Sequence, residues 1–423
     1  LFASSQTVYS QGLFDKLKEK IEQKIDEKEN EAVDKTVDKT SDEIEKGVKK
    51  EGEKKENAEQ KQTGKDSKEA ANKQEDEKKA TQDESLKVYS RYDFVPGEKV
   101  MFFEDFSQDV VGEFPQRWNT NGSGEIVTTN KYPGKWLKMK PGGTFYPEWE
   151  KLTLPENYTI EFDFVYNFTG DMNPPEFAFS LYKTKPDEAM DALVAGIAGV
   201  GIMLTPHSVE MNGWKDQNYD ADNSSVETNI LEQSIGKKIR VAMWVQKQRC
   251  RIYLNDQKII DLPRKIHKGI SYDRFRFNLW SINPENYDPM ISNLRIAVGA
   301  PDTRNKLLTE GKLVTRGIKF DTGSDKIKPE SYGVLKEIAG ALSENPDVKV
   351  KIIGHTDTDG QAEKNLDLSK RRAASVKNAL SGEFGINASR METDGKGQTE
   401  PCDVNSTIEG KANNRRVEFI KTN

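Results

Sequence analysis

The chain has 423 residues, with 64 Lys+Arg against 70 Asp+Glu, a net charge of -6, and only 34% hydrophobic residues. An acidic balance disfavours a nucleic-acid surface, no apolar run reaches the ~18 residues that a membrane-spanning helix needs, and 423 residues allow two or three domains. Mean hydropathy is -0.80, too polar for a core throughout when ordinary domains are about 45–50% apolar, so the polarity is expected to be concentrated in one part of the chain.

The opening LFASSQTVYSQG is a short apolar piece followed by small and polar residues. It reads as the tail of a secretory leader over residues 1–12, cut near Ser10 or Gln11, with a frayed terminus as the alternative. Leu13, Leu17, Ile21 and Ile25, then Val33, Val37, Thr40, Ile44 and Val48, mark one narrow apolar stripe. The spacing predicts an amphipathic helix over 13–48, either solvated or paired with a partner helix or a membrane surface. A mean spacing above 3.6 argues against a left-handed heptad coil. Positions 49–85 contain no Val, Ile, Leu, Met, Phe, Tyr or Trp. Such a segment cannot offset its ordering entropy, and 49–91 is expected to be a charged, disordered spacer.

Residues 92–300 gather aromatics and alternating runs: TIEFDFVYNF, FAFSLY, IRVAMWVQ, RCRIYLN, RFRFNLW and ISNLRIAVG. Period-2 patterning over many short runs, broken by Gly, Pro, Asn and Asp, predicts an antiparallel β-sandwich. RCRIYLNDQKIIDLP predicts a hairpin turning at Asn255-Asp256.

Residues 301–423 alternate strand and helix signals and predict an α/β module. Val314 to Phe320 reads as a strand. Pro329 opens a helix whose apolar face is Tyr332, Leu335, Ile338, Ala339 and Leu342, and Asn345-Pro346 ends it. Val348, Val350 and Ile352 alternate as a second strand. Leu368, Val376, Ala379 and Leu380 mark a second helix, and Arg416 to Ile420 a closing strand.

Within this module the constellation GHTDTDGQAEKNLDLSKRRAASV, followed by EGKANNRRVEF, concentrates chemistry. Asp357 follows a strand on a loop bounded by Gly354. Asn365 stands just before the next helix, where a side-chain oxygen can cap or position the loop. Arg372 comes later on that helix, and Arg415 and Arg416 enter the last strand. A fixed carboxylate beside fixed guanidinium groups suits a zwitterion with an ammonium and a carboxylate. The plainer alternative is an internal Asp357–Arg372 ion pair. His355 is expected to be a structural hydrogen-bonder behind the loop, and Ser369 a helix-start residue. No Ser/His/Asp or Cys/His catalytic order emerges. The histidines His207, His267 and His355 and the cysteines Cys250 and Cys402 show no metal-ligand spacing, so no cofactor is expected.

FDTGSDKIKPES, the GHTD loop, NLDLSKRRAASV and ANNRRVEF, in that order and spacing, resemble the OmpA C-terminal-like family of peptidoglycan-binding domains, over residues ~310–421. The resemblance implies a β/α sandwich that holds the diaminopimelate of cell-wall stem peptides and performs no catalysis. It implies that Asp357 receives the diaminopimelate ammonium and Arg372 its carboxylate, with Asn365, Thr356 and Arg415 supporting or touching the same ligand. Lys411 stands where the family usually has Arg and lacks its planar fork.

The central region resembles concanavalin-like (laminin-G-like) jelly rolls in pattern only. Such folds bind sugars or proteins, or hydrolyse glycans. Glu161 and Asp163 form an ExD pair on one strand face, but Tyr166 replaces the third acid of the laminarinase-type pattern, so both acids are expected to face solvent. Tryptophans in such a fold are core residues more often than sugar platforms. Asp216, Asp220 and Asp222 form either a polar surface loop or a calcium loop, the former being favoured.

The expected organisation is therefore leader remnant 1–12, helix 13–48, spacer 49–91, β-sandwich 92–300 and OmpA-like module 301–423. The expected function is noncovalent peptidoglycan binding that tethers an outer-membrane or periplasmic assembly to the wall. The partners expected are peptidoglycan, an outer-membrane protein on the N-terminal helix, and a glycan or protein on the sandwich. Absence of a ten-residue alternating barrel pattern argues that the chain does not itself cross the outer membrane. The rivals are a wall-tethered glycan-binding or glycan-hydrolysing protein acting through the sandwich, and a stress-type protector driven by the N-terminal tract.

Overall fold

A computed structural model of the protein describes residues 92–149, 153–169, 175–186, 194–279, 286–299 and 302–422. The predicted leader remnant, amphipathic helix and spacer, residues 1–91, lie outside the described residues. No helix among the described residues is long and apolar enough to cross a membrane.

The alternating runs of the central region form two antiparallel sheets. The first has the order Gln257–Leu262, Arg249–Leu254, Lys238–Gln246, Asn157–Val165, Met290–Val298, Lys135–Met139 and Gly124–Thr128, with Lys99–Glu104 also pairing with Met290–Val298. The second has the order Asn218–Tyr219, Ser208–Lys215, Ala198–Leu204, Phe177–Lys183, Arg274–Asn278, Thr144–Pro147 and Trp118–Thr120, with Ser224–Glu227 also on Ser208–Lys215. Alternation explains how they meet. Ile160, Phe162 and Phe164 point from the first sheet into a shared core. There Phe162 packs edge-on against Phe179 and Phe277 of the second sheet, ring centroids 5.3 and 5.1 Å apart, and Phe164 stacks on Phe177 at 4.0 Å. The predicted hairpin forms as read: Leu254 pairs with Gln257 and Asn255 takes the left-handed φ of 53° that a tight turn needs.

The C-terminal module is a four-stranded sheet in the order Lys312–Thr315, Val417–Thr422, Lys349–His355 and Met391–Gly397. Only the last pair is parallel. Helices Tyr332–Ser343 and Ala362–Gly382 supply Leu335, Ile338, Leu342, Val376 and Leu380 to its core. Two sequence expectations shift here. The first strand is Lys312–Thr315 rather than Val314–Phe320, and Pro329 opens a 3-10 turn, Pro329–Ser331, ahead of the helix. The strand Met391–Gly397 and the helix Ile408–Asn414 were not legible, because Gly395 and Gly397 break the strand's apolar alternation and the helix is only 7 residues long.

Gly354 and Gly395 let the long helix Ala362–Gly382 lie on the sheet. A Cβ on Gly354 would stand 2.2 Å from the Ser369 carbonyl oxygen, and one on Gly395 2.4 Å from the Lys370 nitrogen. No Cβ fits at either distance.

The described residues all fall in one compact unit, yet two large hydrophobic clusters are distinct within it, beside a small one of Tyr182, Ala195 and Trp214, and the membership of the large ones does not follow the chain. Tyr92, Phe94 and Val95, together with Ala242, Trp244 and Tyr253 of the sandwich's first sheet, belong to the cluster of the C-terminal module. Phe94 packs edge-on against Trp244 and Tyr253 at 6.1 and 5.4 Å. The outer face of the first sheet is thus covered by the C-terminal module.

Candidate functional site

The strand Lys349–His355 delivers the GHTD loop to one end of the small sheet. Thr356 N–H donates to the Gly397 carbonyl at 2.9 Å, and Thr356 Oγ1 donates to the Asp357 carbonyl at 2.9 Å. Asp359 N–H donates to Asp357 Oδ1 at 3.1 Å. Asn365 Nδ2 donates to the carbonyls of Asp357 and Asp359 at 3.3 and 3.0 Å and to Gln398 Oε1 at 2.8 Å. Asn365 does not precede the helix as expected; Gln361 is the N-cap and Asn365 lies in the first turn. It holds the loop through its amide nitrogen, not through the side-chain oxygen expected. Ser369 is likewise mid-helix, not at a helix start: its hydroxyl donates to the Leu366 carbonyl at 2.8 Å and accepts from Gly397 N–H at 2.9 Å.

All five predicted site residues, Thr356, Asp357, Asn365, Arg372 and Arg415, line one cleft of ≈ 590 Å³. The internal partner of Asp357 is Arg415, not Arg372: Arg415 Nη1 donates to Asp357 Oδ2 at 2.5 Å. Arg372 instead donates through Nε to the Ser324 carbonyl at 2.9 Å and through Nη2 to the Asp321 carbonyl at 3.3 Å, and lies 4.8 Å over the Phe320 ring. Those contacts leave Nη1 as the one guanidinium nitrogen with no hydrogen bond among the described residues. Burial, then the like charge of Arg415, lowers the Arg372 pKa. The two guanidinium groups are therefore close enough to repel, and a ligand carboxylate between them would relieve both. Lys411 Nζ reaches Asp359 Oδ1 at 2.7 Å.

His355 differs from expectation. Neither ring nitrogen has a hydrogen-bond partner among the described residues, and Nε2 stands 3.7 Å from Glu418 Oε1. Burial, then the charge of Arg416, lowers its pKa to about 4, so the ring is neutral at pH 7. The ANNRRVEF motif also has jobs that the sequence did not disclose. The Asn413 amide accepts from Val100 N–H at 2.9 Å and donates to the Val100 carbonyl at 3.1 Å, pinning the strand Lys99–Glu104 to the helix Ile408–Asn414. The Asn414 amide oxygen accepts from the N–H groups of Cys402 and Asp403.

The other wall of the cleft belongs to the sandwich, and sequence reasoning missed it. Phe103, Asp163, Arg240, Asn293 and Arg295 line it. Arg415 lies 5.6 Å over the Phe103 ring. Phe103 is held at both backbone groups: its N–H donates to Glu409 Oε1 at 3.3 Å and its carbonyl accepts from Arg117 Nη1 at 3.3 Å.

Glu161 and Asp163 do not face solvent. Glu161 is 1% exposed and carries three cations: Arg240, Arg295 Nη1 at 2.6 Å and Lys319 Nζ at 2.7 Å. Asp163 accepts from Lys238 Nζ at 3.2 Å and Asn293 Nδ2 at 2.9 Å. A bulge builds this arrangement. Ser292 pairs with Asp163 but Arg295, not Leu294, pairs with Glu161, and Asn293 takes a φ of 55°. The alternation rule assigned both acids correctly to the outward face; the C-terminal module covers that face. In the Asp216–Asp222 loop, Lys265 Nζ lies 3.8 Å from Asp220 and 3.3 Å from Asp222, so an ammonium stands where the calcium alternative required a metal. Trp118, Trp136, Trp214 and Trp244 are buried, as core tryptophans should be.

Residues 319–415 match the OmpA family. The "Probable lipoprotein YiaD" of Escherichia coli (strain K12) is 40% identical over 127 residues, which are 27% of this chain and 58% of that protein. The "Peptidoglycan-binding protein ArfA" of Mycobacterium bovis is 37% identical over 108 residues, 25% of this chain and 33% of that protein. Among solved structures, the cell wall anchor of the T6SS from Pseudomonas aeruginosa is 31% identical, covering 26% of this chain and 81% of that chain with a TM-score of 0.24. The chain spans less than two thirds of either curated relative's length. The matched segment begins at Lys319 and ends at Arg415, and so contains the GHTD loop, the helix that bears Arg372, and the first half of the ANNRRVEF motif. Residues 319–415 are a domain of the OmpA family.

Proposed function

We propose that this chain is a non-catalytic cell-envelope protein that binds peptidoglycan noncovalently by gripping the diaminopimelate of stem peptides. The observation that carries the reading is the cleft that Asp357, Arg415 and Arg372 line together, with Arg415 bonded to Asp357, in a domain whose relatives include a protein named for peptidoglycan binding. The ligand ammonium goes to Asp357 Oδ2, exchanging with or joining Arg415 Nη1. The ligand carboxylate goes to Arg372 Nη1 and the guanidinium of Arg415. Because Arg372 already uses Nε and Nη2 on backbone carbonyls, it offers one donor rather than a bidentate fork. Thr356 and Asn365 act through the loop backbone. Two charge-assisted contacts contribute on the order of 1.5–3 kcal/mol each, much of it offset by desolvation and ordering. The repeating polymer supplies multivalent retention.

In this reading the protein is periplasmic and outer-membrane-associated, with a concanavalin-like sandwich (92–300) ahead of the wall-binding module (301–423). It tethers an outer-membrane or periplasmic assembly to the wall. The glycan-hydrolase rival loses its best acid pair, since Glu161 is buried under three cations. Cosedimentation with purified sacculi tests the proposal. Asp357→Ala and Arg372→Ala are each expected to abolish pelleting in folded protein; retained pelleting in both would remove it.

A further inference from the structure

The cleft extends well past the group that Asp357 and Arg372 can hold, and its far wall has an unusual charge distribution. Arg240, Arg295 and Lys319 converge on a single carboxylate, Glu161. The three cations line the cleft, whereas Glu161 lies behind them and does not. Arg240 Nε is buried without a hydrogen-bond partner among the described residues. Two acids share the lining nearby: Asp163, already engaged by Lys238 and Asn293, and Glu330. Over the whole lining, eight Arg and Lys side chains stand against five Asp and Glu, with Glu161 and Glu418 just outside it pairing with four of the eight. Burial and the mutual repulsion of these cations lower the pKa of Arg295 to about 9 and that of Lys319 well below its usual value. Buried positive charge in excess of its counter-charge is costly, and an anion placed against it is favoured.

The strip is continuous with the first site. Lys319 immediately precedes Phe320, on whose ring Arg372 lies, and Arg415 is near enough to Arg295 to depress its pKa. We infer that Arg240, Arg295 and Lys319, at the junction of sandwich and C-terminal module, form a second subsite that takes the C-terminal carboxylate of the peptide bearing the diaminopimelate. This rests on the diaminopimelate reading of the first site. It makes the sandwich part of the peptidoglycan-binding site rather than a separate module carried beside it.

Calorimetric titration of the full chain tests this with three probes: free diaminopimelate, a diaminopimelate-containing stem tetrapeptide with a free C-terminus, and the same peptide as its C-terminal amide. The free acid is expected to bind at least about tenfold more tightly than the amide, a difference that narrows at high salt. In Lys319→Gln, which leaves Glu161 paired with Arg240 and Arg295, acid and amide are expected to bind alike. Equal affinities in the unsubstituted chain would overturn the second subsite, and need no variant to fold. An acid preference undiminished in folded Lys319→Gln would overturn it too. No binding of free diaminopimelate would remove the first-site reading and this one with it, whereas diaminopimelate binding without acid preference would remove only the second subsite.

Discussion

Lys319 Nζ stands 2.7 Å from Glu161 Oε2, joining the first turn-forming segment of the OmpA-family domain to the middle of a sandwich strand 158 residues earlier. With Arg240 and Arg295 it makes Glu161 the hub on which three cations depend. Removing the charge of a buried hub leaves its partners uncompensated, at a cost of about 3–5 kcal/mol. Glu161→Gln should therefore lower the unfolding free energy, read by denaturant titration, by that amount. An unfolding free energy within about 0.5 kcal/mol of the parent, the range of ordinary surface substitutions, would show that the hub contributes little.

The shared core predicts a long-range effect as well. Phe94 is 1% exposed and sits in the cluster of the C-terminal module. Phe94→Ala should cost about 3–5 kcal/mol. Hydrogen exchange should report the loss in the helix Tyr332–Ser343, whose Gly333 lies against the Phe94 backbone. Destabilisation confined to the sandwich would contradict the packing described.

Much of this was readable from the sequence, and the failures on the far wall of the cleft share one cause. Alternation put Glu161 and Asp163 together on one outward strand face, and Asn255-Asp256 turned where expected, because both signals are local. Asp357, Thr356, Asn365, Arg372 and Arg415 meet in one cleft because strand end, helix face and neighbouring strand are fixed by short-range pattern. Glu161 and Asp163 were misread because nothing within a few residues shows that Lys319 will arrive above them. Phe103, Arg240 and Arg295 escaped notice for the same reason. His355 lacks the hydrogen bonds expected of it because its neighbours are set by burial and by the Arg416–Glu418 pair, which no spacing rule describes.

Gly354 tests the helix-on-sheet contact. Its Cβ would stand 2.2 Å from the Ser369 carbonyl, so Gly354→Ala must push the helix off the strand that carries the GHTD loop. Overpacking of this kind costs about 1–3 kcal/mol. Thermal unfolding should show it, and sacculus binding should weaken with it because Asn365 is on the displaced helix. Full stability in Gly354→Ala would mean that the helix has room to spare.

Glu104 predicts a pH dependence. Its side chain is 3% exposed, with Arg117 Nη1 3.8 Å away, and burial raises its pKa from 4.5 to about 7. A folded-state pKa above the unfolded one means that the protonated carboxyl favours the fold. The contribution is complete below about pH 4.5 and is lost as pH rises to about 7, a difference of about 3 kcal/mol. Glu104→Gln, which keeps the acceptor for Phe106 N–H, should match the parent near pH 4 and exceed its stability at pH 7.5. Parallel stability curves for the two proteins across that range would rule out the assignment.

The pairing of Asp357 and Arg372 with the two ends of one ligand is open to direct inspection. In a crystal structure of the full chain grown with diaminopimelate, the ammonium should lie within hydrogen-bond distance of Asp357 Oδ2 and the carboxylate on Arg372 Nη1, with Arg415 drawn toward the ligand. A cleft left empty at saturating diaminopimelate, with the Arg415–Asp357 bond unchanged, would contradict the account.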